Sequence, residues 1–288
     1  MGVVGFLCLS LLAAASRPVG AQFGATTELV EVYATVLDAR GNPVLGLTAA
    51  DFSVSENGQP MTISTFTAGE FPLTLAVVVD RSFSMSGERF DAAKAGARRL
   101  VDRVRATDRL LVLAIGGKAD VLAGFDAARP AARRAVEELQ VWGTSPIGDV
   151  VAHGIDAVKA EPGRRAVVVW SDGVEREATV ERDDLLERAR QAGVLVYPVA
   201  MASKPSPLLT SLAALSGGRL LDARNRKSAE QAAEAIAGEL RHQYLLGYVP
   251  PPGPAGWRDI AVQTVKPGLT IRARRGYVAA GTPRPASF

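Results

Sequence analysis

The run Leu73-Thr-Leu-Ala-Val-Val-Val-Asp80 constrains this chain more than any other stretch, because it stays almost wholly apolar until it ends in a carboxylate. A strand with one solvated face alternates, whereas one that is apolar on both faces belongs inside a parallel sheet covered by helices. Ligands of such sheets collect beyond the carboxyl ends of the strands, which is where Asp80 and the following Arg81-Ser82-Phe83-Ser84 fall. Alternate residues of an extended loop point the same way. The oxygen-bearing side chains of Asp80, Ser82 and Ser84 can therefore converge on one point, and hard oxygen donors suit Mg2+ or Ca2+. The same residues admit a plainer use, in which Ser84 or Ser86 caps the next helix.

From Leu73 to about Gln243 buried strands alternate with amphipathic helices. Phe90, Ala93, Ala97, Leu100, Val101 and Val104 form a helical stripe, Leu110 to Ile115 reads as a strand, and Ala119 to Phe125 as a short edge strand. A polar helix is expected from about Arg129 to Gln140. Ser145 as N-cap and Pro146 at the first helical position predict another helix to Lys159. Ala166-Val-Val-Val-Trp170-Ser171-Asp172-Gly173 then repeats the opening pattern, a buried strand ending in a carboxylate. Beyond it come a helix from Glu181 to Ala192, a strand from Val194 to Ala200, and a helix from Pro207 capped by Ser206. A final helix opens with a Ser228/Gln231 capping box. This alternation predicts an α/β fold: a doubly wound, mostly parallel sheet flanked by helices.

The flanks differ in texture. Val30, Val32, Ala34 and Val36 alternate along one strand, Asn57-Gly58 signals a hairpin, and Pro60 marks an edge strand. After His242, Tyr244 to Val249, Ile260 to Val265 and Leu269 to Arg274 read as strands. Neither flank carries enough apolar surface to fold alone, so the N- and C-terminal segments are expected to pair into one small β module. The chain thus divides into 1–21, 22–70, 71–243 (the α/β domain), 244–280 and a disordered tail, 281–288.

Residues 3–15 are apolar but short for a membrane span, and Val19-Gly20-Ala21 offers small residues at cleavage positions, the pattern of a signal peptide cleaved after Ala21. The expectation is a secreted or periplasmic protein with no transmembrane span after cleavage. The alternative is an uncleaved N-terminal anchor, since the first residues carry no Lys or Arg. Cys8, the single cysteine, lies in the leader, so disulfide and thiol chemistry leave with it. A formal net charge of +3 over 288 residues, with basic pairs interspersed among acids, argues against nucleic acid.

Three separated segments now carry oxygen donors: Asp80-x-Ser82-x-Ser84, Thr144, and Asp172-Gly173. Their order and spacing resemble the von Willebrand factor type A domain with its metal-ion-dependent adhesion site. The flanks, Val44-Leu-Gly-Leu-Thr-Ala-Ala-Asp-Phe52, Gln243-Tyr-Leu-Leu-Gly-Tyr248 and Arg274-Arg275-Gly276-Tyr277, resemble a bacterial secreted branch of that family. The resemblance implies that Ser82 and Ser84 ligate a divalent cation, Mg2+ or else Mn2+ or Ca2+, with Thr144 direct or through water. Asp80 and Asp172 would act mostly through bound waters. An exchangeable position would then take an exposed acidic residue of a partner protein, with no catalysis. Phe83 stands where many members have Gly, and with Arg81 it is a candidate ligand contact. Asp149, in the first turn after Thr144, is assigned to the helix dipole.

Two other readings compete. One is a metal-free envelope scaffold. The other is a haloacid-dehalogenase-like phosphatase, which needs a second carboxylate two residues after Asp80, where this chain has Ser82. Motifs for a zinc protease, a nucleophile elbow or a phosphate loop are missing, and His153 and His242 read as surface or packing residues.

Overall fold

The computed structural model describes residues 29–161 and 163–281. The expected leader, with Cys8 and the expected cleavage position after Ala21, and nearly all of the expected tail lie outside them. The chain enters as β1 (Val30–Leu37), β2 (Phe52–Glu56), β3 (Gln59–Met61) and β4 (Thr65–Gly69). The α/β region follows as β5 (Leu73–Asp80), α1 (Glu88–Arg103), β6 (Arg109–Ile115), β7 (Ala119–Ala123), α2 (Arg129–Glu137) and α3 (Ile147–Lys159). It continues through β8 (Arg164–Ser171), α4 (Arg182–Ala192), β9 (Leu195–Ala200), α5 (Pro207–Ser216), β10 (Leu221–Asp222) and α6 (Arg226–Arg241). The chain then returns to β structure in β11 (Gln243–Tyr248), β12 (Gly256–Thr264), β13 (Thr270–Arg272) and β14 (Gly276–Ala279).

The central sheet has the order β10-β9-β8-β5-β6-β7, parallel except for the antiparallel edge strand β7. All eight residues of β5 are buried, as its two-faced apolar pattern requires. Leu75, Val77 and Val79 pack with α1, α2 and α6 on one face of the sheet. Ala76 and Val78 pack with α3, α4 and α5 on the other. The fold is therefore α/β and doubly wound. Chain connections leave β5 toward β6 on one side and return to β8 on the other, so the crevice at the carboxyl ends of β5 and β8 is the topological switch point.

The two ends of the chain interleave. One antiparallel sheet is β13-β1-β11-β4 and the other is β14-β12-β2-β3, each drawing strands from both flanks. Val32, Ala34, Tyr244 and Leu246 of the first share a core with Phe52, Val54 and Ile260 of the second. A buried carboxylate pins this sandwich: Glu56 accepts from Arg258 Nη1 at 2.8 Å, Tyr248 OH at 2.7 Å and Tyr277 OH at 3.0 Å. Asn57 and Gly58, with φ of 48° and 78°, make the expected hairpin turn, and β3 with Pro60 is an edge strand.

Three local expectations are corrected. The N-cap of α3 is Pro146 rather than Ser145, whose hydroxyl is used elsewhere. The N-cap of α6 is Asn225, with Ser228 as the third residue of the capping box. The N-cap of α1 is Gly87, without a side-chain cap, so neither Ser84 nor Ser86 caps that helix. No helix among the described residues is long and apolar enough to cross a membrane.

Candidate functional site

Asp80 ends the most buried strand and is itself fully buried. Its Oδ1 accepts the Ser82 backbone N–H at 2.9 Å, which bends the chain sharply out of the sheet. A single 3-10 turn, Phe83–Met85, follows. The turn brings Ser84 Oγ within 3.2 Å of Ser82 Oγ, so the two hydroxyls point at the same place. Asp80 Oδ2 accepts Ser145 Oγ at 3.1 Å and Ser171 Oγ at 2.6 Å, tying β5 to the start of α3 and the end of β8. Burial pushes the Asp80 carboxyl above its usual range and the Asp172 charge adds to this, while hydrogen bonds from Ser171 and Ser82 pull the other way.

Backbone hydrogen bonds fasten the surrounding loops. Trp142 N–H donates to Arg81 O at 2.7 Å, Phe83 N–H to Gly143 O at 3.2 Å, and Gly117 N–H to Thr144 O at 3.1 Å. Gly143, at φ 80°, lies so close to Gly116 that a Cβ would sit 2.7 Å from its carbonyl carbon. Only glycine permits this approach, which delivers Thr144 beside the serine loop.

Asp172 is buried just beyond β8. Its Oδ1 accepts Val174 N–H at 3.1 Å and its Oδ2 accepts Arg89 Nη1 at 3.0 Å. Arg89 also donates to Ser84 O at 2.8 Å, so one guanidinium spans the serine loop and the second carboxylate. Thr144 Oγ1 donates to Glu177 Oε2 at 2.8 Å, and Glu177 holds a left-handed φ of 62°, unusual for a residue with a side chain.

The structure thus brings Asp80, Ser82, Ser84 and Asp172 to one crevice and sets Thr144 on a loop stitched to it. The two contact candidates part company. Phe83 is 66% exposed beside the hydroxyls, as an outward contact would be. Arg81 is turned away: it is ion-paired with Asp120 and lies 5.2 Å from the Trp142 ring, with only 19% of its side chain exposed. Its adjacency to Ser82 concealed that, because successive residues of an extended loop point to opposite sides. Asp149 does more than face a helix dipole, since it accepts Thr179 N–H, Thr179 Oγ1 and Val180 N–H and so secures the loop after β8.

Sequence reasoning missed Ser145, Ser171, Arg89 and Glu177. The serines adjoin Thr144 and Asp172 and were findable as neighbours of donors. Arg89 and Glu177 gave no signal, since their roles arise only when distant loops meet.

Among the described residues no group of three or more His, Cys, Asp or Glu side chains is placed to hold a metal. The donor set here is of another kind, neutral hydroxyls with two carboxylates behind them. It fits a small oxygen-seeking cation that retains waters, because the hydroxyls of buried Ser82 and exposed Ser84 are paired at one point and the buried carboxylates supply the countercharge. Arg89 supplies positive charge to Asp172 in the structure as it stands.

Residues 75–175, which span all five donor positions, match the model of the von Willebrand factor type A domain. The α/β region is similar to a von Willebrand factor type A domain. An uncharacterized protein of Synechocystis sp. is 32% identical over 106 residues, which are 35% of this chain and 25% of that protein. The chain spans about a quarter of the length of the curated relative it matches. Among solved structures, a von Willebrand factor type A protein from Catenulispora acidiphila is similar at a TM-score of 0.52 and 14% identity, covering 80% of this chain and 74% of that one. Proximal thread matrix protein 1 of the mussel byssus is similar at a TM-score of 0.51 and 13% identity, covering 73% of this chain and 50% of that one. At these identities the likeness concerns the type A fold.

Proposed function

We propose that this protein is a secreted or periplasmic protein-binding module, not an enzyme, whose type A domain recognises an acidic side chain of a partner through a divalent cation. The observation that carries the reading is the 3.2 Å approach of the Ser82 and Ser84 hydroxyls at the switch point, backed by buried Asp80 and Asp172. Ser82 and Ser84 would hold the cation, Thr144 would complete its shell directly or through water, and Asp80 and Asp172 would orient bound waters. Mg2+, or Mn2+ or Ca2+ in its place, supplies a Lewis-acidic position that accepts a carboxylate oxygen. Neutral hydroxyl ligands leave that position electrophilic, and the exposed Phe83 gives an incoming side chain an apolar contact. The hydrogen bonds that hold Asp80 to Ser82, Ser145 and Ser171 suit a structural carboxylate better than a phosphatase nucleophile.

The metal-free scaffold is favoured by one observation, the Arg89 guanidinium on Asp172. Capture of envelope proteins by the purified chain separates the readings. Metal-dependent recognition predicts partners retained in Mg2+ and lost both in chelator and with Ser84→Ala. Retention in all three conditions would establish the scaffold instead.

A further inference from the structure

At the end of the central sheet opposite Asp80 lies a cleft of about 410 Å³ where the type A domain meets the β sandwich. β8 runs from Arg164, in the cleft wall, to Ser171 at the donor cluster, so the two places are about 23 Å apart at roughly 3.3 Å per residue. Five cations line the cleft, Lys159, Arg164, Arg165, Arg190 and Arg274, against a single carboxylate, Glu31. Arg190 is paired with Glu187 at 3.3 Å. None of the other four makes an ion pair with a carboxylate among the described residues.

Their hydrogen bonds go to neutral acceptors. Arg164 donates to Gln243 Oε1 and Phe71 O, Arg165 to Lys159 O, and Arg274 to Glu31 O. These acceptors satisfy N–H groups without neutralising charge, and Nε of Arg164 and of Arg274 is buried without any acceptor among the described residues. Burial pushes the Arg164 guanidinium down to about 10. Arg274 is lowered by burial as well, with the Arg165 charge adding to the effect. Structural contacts hold these side chains in place, with Arg165 closing the carboxyl end of α3, Arg164 over the Phe71 ring and Arg274 over the Tyr277 ring, but none of these partners is a carboxylate that cancels the charge of Lys159, Arg164, Arg165 or Arg274. A volume within the roughly 300–1,000 Å³ of small-molecule sites and several planar guanidinium forks suit a compact, multiply charged oxyanion.

We infer that the cleft between the start of β1, the start of β8, the end of α4 and Arg274 is a binding site for a phosphate or pyrophosphate group. It also gives a use to Arg274 of the Arg274-Arg275-Gly276-Tyr277 segment, which the cation site leaves unexplained.

The test is calorimetric titration of the full chain with inorganic phosphate and with pyrophosphate. A second arm measures cosedimentation with phosphatidylglycerol vesicles against phosphatidylcholine vesicles. Variants Lys159→Gln, which is exposed and cannot threaten the fold, and Lys159→Gln/Arg165→Gln report on the cleft, and Asp172→Ala controls for the distant donor cluster. Saturable one-to-one binding is expected, tighter for pyrophosphate, weakened severalfold by the single variant and at least tenfold by the double one, and unchanged by Asp172→Ala. Binding to phosphatidylglycerol alone, lost in the same variants, would identify a lipid headgroup as the source of the phosphate. Absence of saturable binding in both arms, or equal affinity in the wild type and both cleft variants, would overturn the inference.

Discussion

Arg89→Ala should weaken the metal-free protein and strengthen cation binding by nearly the same free energy. Arg89 Nη1 lies 3.0 Å from Asp172 Oδ2, with 39% of the arginine side chain exposed and 1% of the aspartate side chain. Hydrogen bonds to charged groups contribute about 1.5–3 kcal/mol, and the exposure of Arg89 places this one at the lower end, about 1.5 kcal/mol. Removing Arg89 leaves Asp172 buried without its countercharge, which costs the apo protein that amount. At roughly 2–4 °C per kcal/mol for a chain of this size, its Tm should fall by roughly 3–6 °C. A cation entering the wild-type site must first release Asp172 from the guanidinium, and in the variant it need not. Affinity should therefore rise about tenfold, the equivalent of about 1.4 kcal/mol. By linkage, the metal-saturated proteins should then differ little in stability. Calorimetric titration with Mg2+ and Mn2+, paired with thermal unfolding in chelator and in saturating metal, reads all three quantities. A variant whose metal affinity is unchanged or lower would refute the idea that Arg89 and the cation compete for Asp172.

Three further outcomes concern the scaffold. Gly96→Ala places a Cβ 2.3 Å and 2.5 Å from ring carbons of the fully buried Trp170, so α1 must shift; overpacking of about 1–3 kcal/mol should outweigh the gain of about 1 kcal/mol in helix propensity, as a lower urea midpoint. Glu56→Ala strands Arg258 and two tyrosine hydroxyls inside the sandwich and should cost about 3–5 kcal/mol in urea unfolding, whereas an unchanged midpoint would deny that the carboxylate pins the two sheets. Glu239 is held above the usual carboxyl range by burial, which outweighs Arg219 and Arg272. Its folded pKa is raised, so its contribution is most favourable below the unfolded value and is lost as pH rises through the folded one. The stability of Glu239→Gln relative to the wild type should therefore increase with pH above the ordinary carboxyl range, and a gap that shrinks instead would contradict the assignment.

What could be read without coordinates is what local chemistry dictates. Eight residues of β5 declare a two-sided core, Asn57-Gly58 can make only a tight hairpin, and Gly193 and Gly217 end α4 and α5 in the left-handed conformation their positions imply. The spacing of Asp80, Ser82 and Ser84 carried the serine loop because alternation fixes side-chain direction over a few residues. Ser145 was misread as a helix cap because the preference of serine for N-caps is a local rule, and a buried carboxylate from β5 outbid it for the hydroxyl. Arg81 is turned away for a similar reason, since its partners Asp120 and Trp142 come from β7 and from the loop before α3. The strand β14 went unread because it follows β13 after only three residues, Ala273 to Arg275, and belongs to the opposite sheet.

Diffraction from crystals soaked in Mn2+, recorded at the manganese absorption edge, reveals whether Ser82 and Ser84 hold a cation, because it locates the ion without reference to the partner. One strong anomalous peak is expected in the crevice at the carboxyl ends of β5 and β8, within about 2.0–2.6 Å of Ser82 Oγ and Ser84 Oγ, the range of hard-cation bonds to oxygen. Arg89 should be displaced from Asp172 in the same crystals, and the peak should be missing from crystals of Ser84→Ala. A saturating soak that leaves the crevice without a peak and Arg89 still bonded to Asp172 would contradict the cation site.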